Sequence, residues 1–122
     1  MTIVKGNIKY ENKIWGFERL ICNNELYCGK ILTLKQGYQS SLHSHKTKDE
    51  TFFILTGEIH LEIEGQDDII MTQGDTVRLP PNIIHRIKAI GKMNNIIEIS
   101  THHNDTETTR LELGRRMTEN IQ

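Results

Sequence analysis

Three histidines and a glutamate stand at spacings that could place them around one metal ion. His43 and His45 are two residues apart, so on a β-strand their imidazoles point to the same side. Glu50 opens the next predicted strand, and antiparallel pairing would bring it beside the two histidines. His85 lies on a later predicted strand, just after the turn Pro80-Pro81-Asn82. Three imidazoles and one carboxylate suit a divalent transition metal such as Zn, Mn, Fe, Co or Ni.

The prediction of a metal site rests on the three histidines and the glutamate together, and not on any one of them. Any one histidine on a strand is more commonly a solvated residue than a ligand. Shared strand parity and spacing across the set favour one metal per chain. Four protein ligands in an octahedral shell leave two positions for water or substrate, and open positions are typical of a working site rather than a structural one.

The elements that must position these residues are predicted to be short β-strands. Glu58–Glu64 alternates strictly, with Ile59, Leu61 and Ile63 on one side and charged residues and His60 on the other. Six further runs rich in Ile, Leu, Thr and Phe are predicted as strands: 26–34, 50–56, 68–72, 76–79, 83–89 and 95–100.

Turn residues separate these runs, and many short strands at such spacing indicate a sandwich or barrel, with a jelly roll as the compact solution. We therefore predict an all-β, single-domain jelly-roll β-barrel over residues 1–122. Its barrel core spans about 13–101, and a short C-terminal tail spans 102–122. Only Thr106–Asn120 has a weakly helical pattern, with Leu111 and Leu113 as its few apolar members.

Composition narrows the class of protein. The 122 residues contain 36% hydrophobic and 25% charged residues, which is ordinary for one globular domain. Fifteen basic residues against 16 acidic ones give a net charge of -1, which argues against a nucleic-acid binder. No apolar run approaches the ~20 residues that span a bilayer. Without a signal-like N-terminus or a disulfide framework (Cys22 and Cys28 only), the expected location is the cytoplasm.

Two motifs resemble those of the cupin superfamily, and the resemblance implies the jelly-roll fold and the ligand set given above. The first motif is matched at every position by Gly37-x5-His43-x-His45-x4-Glu50-x6-Gly57. The second is matched by Gly74-x5-Pro80-Pro81-Asn82-x2-His85. Asn82 stands where the family usually has glycine, and asparagine is the next residue that tolerates a left-handed backbone. Ala89 replaces a frequent asparagine, a change that bears on the local turn and not on the ligand.

The flanking sequence is similar to the type II mannose-6-phosphate isomerase domain, a sugar-phosphate isomerase cupin. This similarity extends over roughly residues 13–116, and it is carried by the segments 13–18, 27–32, 41–45, 97–100 and 110–115. It implies an inward-pointing Lys30 and a functional Arg110. Arg115 aligns less closely, because this tail is about two residues shorter.

Lys30 also has a prediction from its own strand. It shares strand parity with Cys28, Leu32 and Leu34, and if that face is interior, a cation points into the barrel and requires an anionic partner. The opposite parity, with Tyr27 and Ile31 buried, stays open.

The resemblance implies a metal-dependent isomerase of a sugar, sugar phosphate or sugar nucleotide. The metal would polarise a carbonyl, and a base would move a proton between neighbouring carbons through an enediol. Glu98 or a metal-bound hydroxide is the candidate base. Lys30 and Arg110 would hold the anionic end of the small-molecule substrate, because arginine in particular suits phosphate.

Two other functions fit the same ligands. Three histidines and a glutamate also suit a metal-dependent dioxygenase, and a chain with little beyond a barrel suits a non-catalytic sugar-binding or sensing protein. Exposed edge strands near the N-terminus favour a homodimer.

Several other residues are interpreted as structural. Trp15 is assigned to core or rim packing. His102 and His103 are assigned to a loop, and Lys46 and Lys48 to a solvated hairpin tip.

Overall fold

A computed structural model describes residues 2–117 of the chain. The regular structure in these residues consists of short strands joined by turns and loops, with a one-turn 3-10 helix at Asp105–Glu107. The strands are β1 (Lys9–Lys13), β2 (Gly16–Asn23), β3 (Cys28–Lys35), β4 (Tyr38–Gln39), β5 (Leu42–His45), β6 (Glu50–Thr56), β7 (Glu58–Ile63), β8 (Ile69–Thr72), β9 (Thr76–Leu79), β10 (His85–Ala89), β11 (Met93–Ser100), β12 (Thr108–Glu112) and β13 (Arg115–Arg116).

The strands form two antiparallel sheets with an apolar core. One sheet has the order β1-β2-β3-β11-β6-β9. The other has the order β12-β5-β10-β4-β13, with β7 pairing β10 and β8 pairing β7. Alternation explains the core: in β7, Ile59 and Leu61 are fully buried, and their neighbours in sequence are partly exposed. This is the predicted all-β jelly-roll architecture.

The seven predicted strands are confirmed with small shifts at their ends. The runs 50–56 and 76–79 match β6 and β9 at both ends. Trp15 is buried in the core, as expected for a packing residue. Cys22 and Cys28 are both free thiols.

The predicted helix over Thr106–Asn120 is wrong for its described part, and residues 118–120 lie outside the described residues. After the 3-10 turn the chain becomes extended, and β12 pairs with β5 while β13 pairs with β4. Few apolar residues are available here to bury a helical face, and Leu111 and Leu113 are exposed. Backbone pairing with β5 therefore determines the conformation of the tail.

Strand β1 is an edge strand, exposed over nearly its whole length. The edge expected from the sequence is thus present, and the homodimer stays a prediction. No helix in the described residues is long and apolar enough to cross a membrane.

Candidate metal centre

The three motif histidines lie on strands of the sheet that contains β5 and β10, and their side chains converge. His43 and His45 lie on β5, and His85 is the first residue of β10, directly opposite His43 in the strand register. One ligand nitrogen from each of the three lies within 4.8 Å of the other two. The i, i+2 spacing explains the first pair, and the register of two distant strands brings in the third.

Each imidazole is oriented through its Nδ1 atom. His43 Nδ1 lies 2.9 Å from the Ser41 carbonyl oxygen, and His85 Nδ1 lies 2.9 Å from that of Ile83. A carbonyl only accepts, so both Nδ1 atoms carry the proton and both Nε2 atoms keep a lone pair. His45 Nδ1 lies 3.0 Å from Thr108 Oγ1 on β12. Such partners are what a ligating histidine requires on its other nitrogen.

Glu50 reaches the histidines from the opposite sheet. Its Oε2 lies 3.2 Å from His85 Nε2 and 3.5 Å from His45 Nε2. The predicted pairing of its strand with the His strand is wrong, because β6 pairs with β11 and β9. The loop 46–49 crosses between the sheets, so Glu50 faces the histidines across the interior. Its role as fourth ligand stays a prediction.

The donor set fits a metal ion. His85 Nε2 is buried without a hydrogen-bond partner of suitable geometry, a costly arrangement unless something else engages its lone pair. Burial lowers the pKa of His43 to about 4, and burial together with the nearby Lys48 ammonium lowers the pKa of His45 to about 3. Both imidazoles are therefore neutral at pH 7, the form that binds metals. His43, His45 and His85 can hold one divalent transition metal, and Mn, Fe, Co, Ni and Zn all accept imidazole and carboxylate ligands.

A pH-dependent stability difference follows from His45. Its pKa is about 3 in the fold against 6.5 when unperturbed, so between these values the unfolded chain binds a proton that the folded chain does not. The metal-free parent then loses stability as pH falls from 6.5 towards 3, by up to about 1.4 kcal/mol per pH unit. A His45→Gln variant lacks this term. Urea unfolding of both proteins in chelator, from pH 7 to pH 4, should show their stability difference moving in favour of the variant. A difference independent of pH would contradict the prediction.

The turn before His85 has the backbone that the motif requires. Asn82 has φ 69°, the left-handed region where the family usually has glycine, so asparagine does preserve the turn. Its N–H donates to the His45 carbonyl oxygen at 2.7 Å. The turn that delivers His85 is thereby fixed to the strand that carries His45.

The position of Lys48 differs from the prediction. The sequence predicts a solvated hairpin tip, but the Lys48 side chain is only 4% exposed. Its Nζ donates to Glu98 Oε2 at 2.5 Å and lies 3.6 Å from Glu50 Oε1. Burial alone would raise the pKa of Glu98, but Lys48 and then Lys30 lower it to about 2. Sequence position gave no sign of this pair, because the carboxylate comes from β11, far along the chain.

A cavity of about 720 Å³ opens beside the metal centre. His43 and His45 lie on its wall together with Lys30 and Arg110, and Glu98 is not among its lining residues. Lys30 is buried on the same side of β3 as Leu32, so the inward parity was the correct alternative. Its Nζ lies 3.4 Å from Glu18 Oε1, so the chain itself supplies an anionic partner. Arg110 is exposed on β12, directly opposite His43 in the register.

His103 also lines this cavity, although the sequence suggested only a loop residue. It does lie in the segment between β11 and the 3-10 turn. Its Nε2 lies 2.8 Å from Asp105 Oδ1, and its Nδ1 lies 3.1 Å from Lys48 Nζ. Burial, followed by Lys30 and Lys48, lowers its pKa. Only the His-x-Asp spacing at 103–105 could have pointed to this pair.

The chain belongs to the cupin family. The sequence profile of the cupin domain (Cupin_2) matches residues 30–101, which include both motifs and all four predicted ligands. The chain is 31% identical over 75 residues to the uncharacterised protein MJ1618 of Methanocaldococcus jannaschii. That match covers 58% of this chain and 59% of the relative, so it spans well under two thirds of the relative's length.

Solved structures share the fold at low identity. KdgF from Halomonas sp. superposes with a TM-score of 0.72 at 15% identity, over 80% of this chain and 91% of that one. Oxalate decarboxylase from Bacillus subtilis gives a TM-score of 0.75 at 19% identity, over 91% of this chain and 33% of that one. Mn(II) centres are named for the latter enzyme. These likenesses establish the cupin fold. They do not identify the reaction, which has to be inferred from the residues of the site.

Proposed function

We propose that the protein is a metal-dependent isomerase acting on a small anionic sugar, such as a sugar phosphate or sugar nucleotide. The observation that carries the proposal is the single cavity that Lys30 and Arg110 line together with His43 and His45. A substrate that places oxygens near the histidines and an anionic group near the two cations would fill this space. The resemblance of the flanking segments to sugar-phosphate isomerases supports the same substrate class.

Two cations contribute to the anion site in different ways. Lys30 is buried and exchanges part of its contact with Glu18 for the substrate. Arg110 has no carboxylate within ion-pair distance among the described residues, so its guanidinium is available for bidentate contact with phosphate. Both line the same cavity as His43 and His45.

His43, His45 and His85, with Glu50 as the proposed fourth ligand, would hold the metal. When bound, it supplies Lewis-acid polarisation of the substrate carbonyl. The neutral imidazoles and the buried surroundings favour its binding. The cavity walls, which include Trp15 and Phe52, exclude water from the bound substrate.

Glu98, predicted as a base, is better placed for a positioning role. Its carboxylate is buried behind Lys48, and a pKa of about 2 makes it a weak proton acceptor at neutral pH. We assign it to holding Lys48 at the cavity wall. The group that moves the proton must then come from another part of the site.

The experiment combines turnover with binding. Metal-loaded protein is incubated with aldohexose and ketohexose phosphates and their unphosphorylated parents, and the interconversion of aldose and ketose is followed. Calorimetric titration then compares the parent protein with Lys30→Met and Arg110→Met. Loss of a buried charge partner typically costs ~2–5 kcal/mol, so Lys30→Met should weaken binding of the phosphates by at least about 30-fold and of neutral sugars far less. Arg110 is exposed, so Arg110→Met should weaken phosphate binding by a smaller factor, again with little effect on neutral sugars.

Controls separate substrate contact from fold damage. Glu18→Gln removes the internal partner of Lys30 and keeps the ammonium, so it should not weaken phosphate binding. Metal content should be unchanged in all three variants. Equal losses for phosphates and neutral sugars would contradict the assignment. Binding without turnover across the panel would replace the isomerase by a sugar-binding protein.

A further inference from the structure

We propose that His103, oriented by Asp105, is the group that takes up and returns the proton during isomerisation. This inference rests on the proposed function and names the base that the sequence left open. It concerns a side chain outside the metal-ligand set. The evidence is a fixed tautomer, a fixed main chain and a position on the cavity wall.

Asp105 and Lys48, the two polar neighbours of the His103 imidazole, require the same tautomer. Asp105 Oδ1 lies 2.8 Å from Nε2, and a carboxylate only accepts, so Nε2 carries the proton. Lys48 Nζ lies 3.1 Å from Nδ1, and an ammonium only donates, so Nδ1 carries the lone pair. A carboxylate behind one nitrogen and a lone pair on the other form the arrangement by which a histidine acts as a general base.

The main chain at His103 is clamped by Asn23 at the end of β2. The Asn23 side chain accepts from the His103 N–H at 3.0 Å and donates to the His103 carbonyl oxygen at 3.0 Å. The next residue back, His102, is tied to the same turn through the Asn24 carbonyl oxygen at 2.8 Å. A loop held at three points presents its imidazole in one place, which general base catalysis requires.

The imidazole stands close to the metal centre and to the cavity space. The ring centroids of His103 and His45 are 6.1 Å apart, and the His103 side chain is 16% exposed. His103, Asp105 and Lys48 all line the cavity. A substrate with one oxygen at the histidine cluster would therefore occupy the cavity that His103 lines. Lys48 donates to Nδ1, and this is the contact that such a substrate would displace.

The proposed step is a balanced proton transfer that needs no further reactant. Nδ1 takes the proton from the carbon beside the carbonyl, and the C–H electron pair becomes the C=C bond of the enediol. The neighbouring hydroxyl passes its proton to the carbonyl oxygen, so the former carbonyl oxygen becomes a hydroxyl and the neighbouring oxygen becomes the new carbonyl as the enediol collapses. The proton on Nδ1 returns to the former carbonyl carbon, so one proton has moved between the two oxygens and one between the two carbons.

The test compares His103→Gln with a control, His60→Gln. His60 lies on β7, outside the histidine cluster, and does not line the cavity, so its substitution should leave turnover unchanged. The panel of aldohexose and ketohexose phosphates is incubated in D2O with metal-loaded parent and variants, and deuterium on the reacting carbons is measured by NMR. His103→Gln should lower both exchange and kcat by about 10²-fold or more, the usual contribution of a general base. Metal content, the KM and the calorimetric affinity for the phosphates should stay unchanged.

Asp105→Asn tests the positioning residue. It should lower kcat by less than His103→Gln does and leave KM unchanged, whereas a merely structural role would change both or neither. Exchange by His103→Gln equal to that of the parent would overturn the assignment of His103 and leave the isomerase intact. Absence of exchange and conversion in the parent across the whole panel would overturn the isomerase, and the base with it.

Discussion

Replacing His45 or His85 with alanine should reduce bound metal from one ion per chain to the background level. The two side chains come from β5 and β10, and each supplies an Nε2 atom that faces Glu50 at 3.5 Å and 3.2 Å. Loss of one imidazole removes one donor and leaves the remaining ligands without the geometry that a transition metal needs. Elemental analysis after dialysis measures the effect directly.

His60→Ala is the matched control for these variants. His60 is also a strand histidine beside a glutamate, with its Nε2 3.3 Å from Glu58 Oε2, but it lies outside the cluster. It should retain the metal content of the parent. Circular dichroism reports whether the alanine variants fold, because His85 is almost fully buried. Metal content equal to that of the parent in both ligand variants would refute the site.

Thermal unfolding gives a second measure of the same site. A metal at a hundredfold excess over its Kd should stabilise the parent by about 2.7 kcal/mol, because it binds the folded state. The stabilisation should vanish in His45→Ala and persist in His60→Ala.

Lys48→Met should destabilise the fold by about 3–5 kcal/mol, the usual cost of leaving a buried charge without its partner. Lys48 is the direct partner of Glu98, at 2.5 Å, and both side chains are buried. Methionine fills a similar volume, so the lost charge contact dominates over lost packing. Urea unfolding at pH 7 measures the difference.

Two further variants make this result specific. Lys46→Met removes an exposed lysine from the same loop and should change stability by less than about 0.5 kcal/mol. The double variant Lys48→Met with Glu98→Met removes both charges and should recover much of the loss.

Acid pH provides a third check on the Lys48–Glu98 pair. The parent gains stability from Glu98 above its unfolded pKa of 4.5 and loses it as pH falls from 4.5 towards 2. Without Lys48, burial raises the pKa of Glu98, so the deficit of Lys48→Met should shrink as pH falls below 4.5. A deficit that is the same at pH 7 and pH 4 would argue against the pair.

Local sequence carried enough information for most strands and for much of the histidine cluster. Strict alternation in Glu58–Glu64 predicts β7 because one side of a strand must be buried. The pair His43 and His45 is fixed by the two-residue period alone. The turn at Asn82 also follows from residue type, because few side chains tolerate its positive φ.

Long-range pairing accounts for what the sequence did not predict. The tail has too few apolar residues to mark β12, which is held by backbone bonds to β5. The residues around Lys48 are typical of a solvated loop. Lys48 is nevertheless buried, because it donates to Glu98 on β11. The same principle places Glu50 across the interior rather than beside the histidines in one sheet.

The pairing of β12 with β5 also sets an order in which the ligands become ready during synthesis. A chain emerging from the ribosome exposes His43 with its anchor, Ser41, already two residues away, and His85 later appears together with Ile83. His45 must wait for Thr108 on β12, which lies 63 residues further along the chain. A metal ion that meets an incomplete chain finds His45 without its anchor, whereas a complete chain offers three oriented imidazoles. Orientation of all three imidazoles therefore depends on the pairing of β12 with β5, and a chain in which this strand has not yet paired should bind metal more weakly.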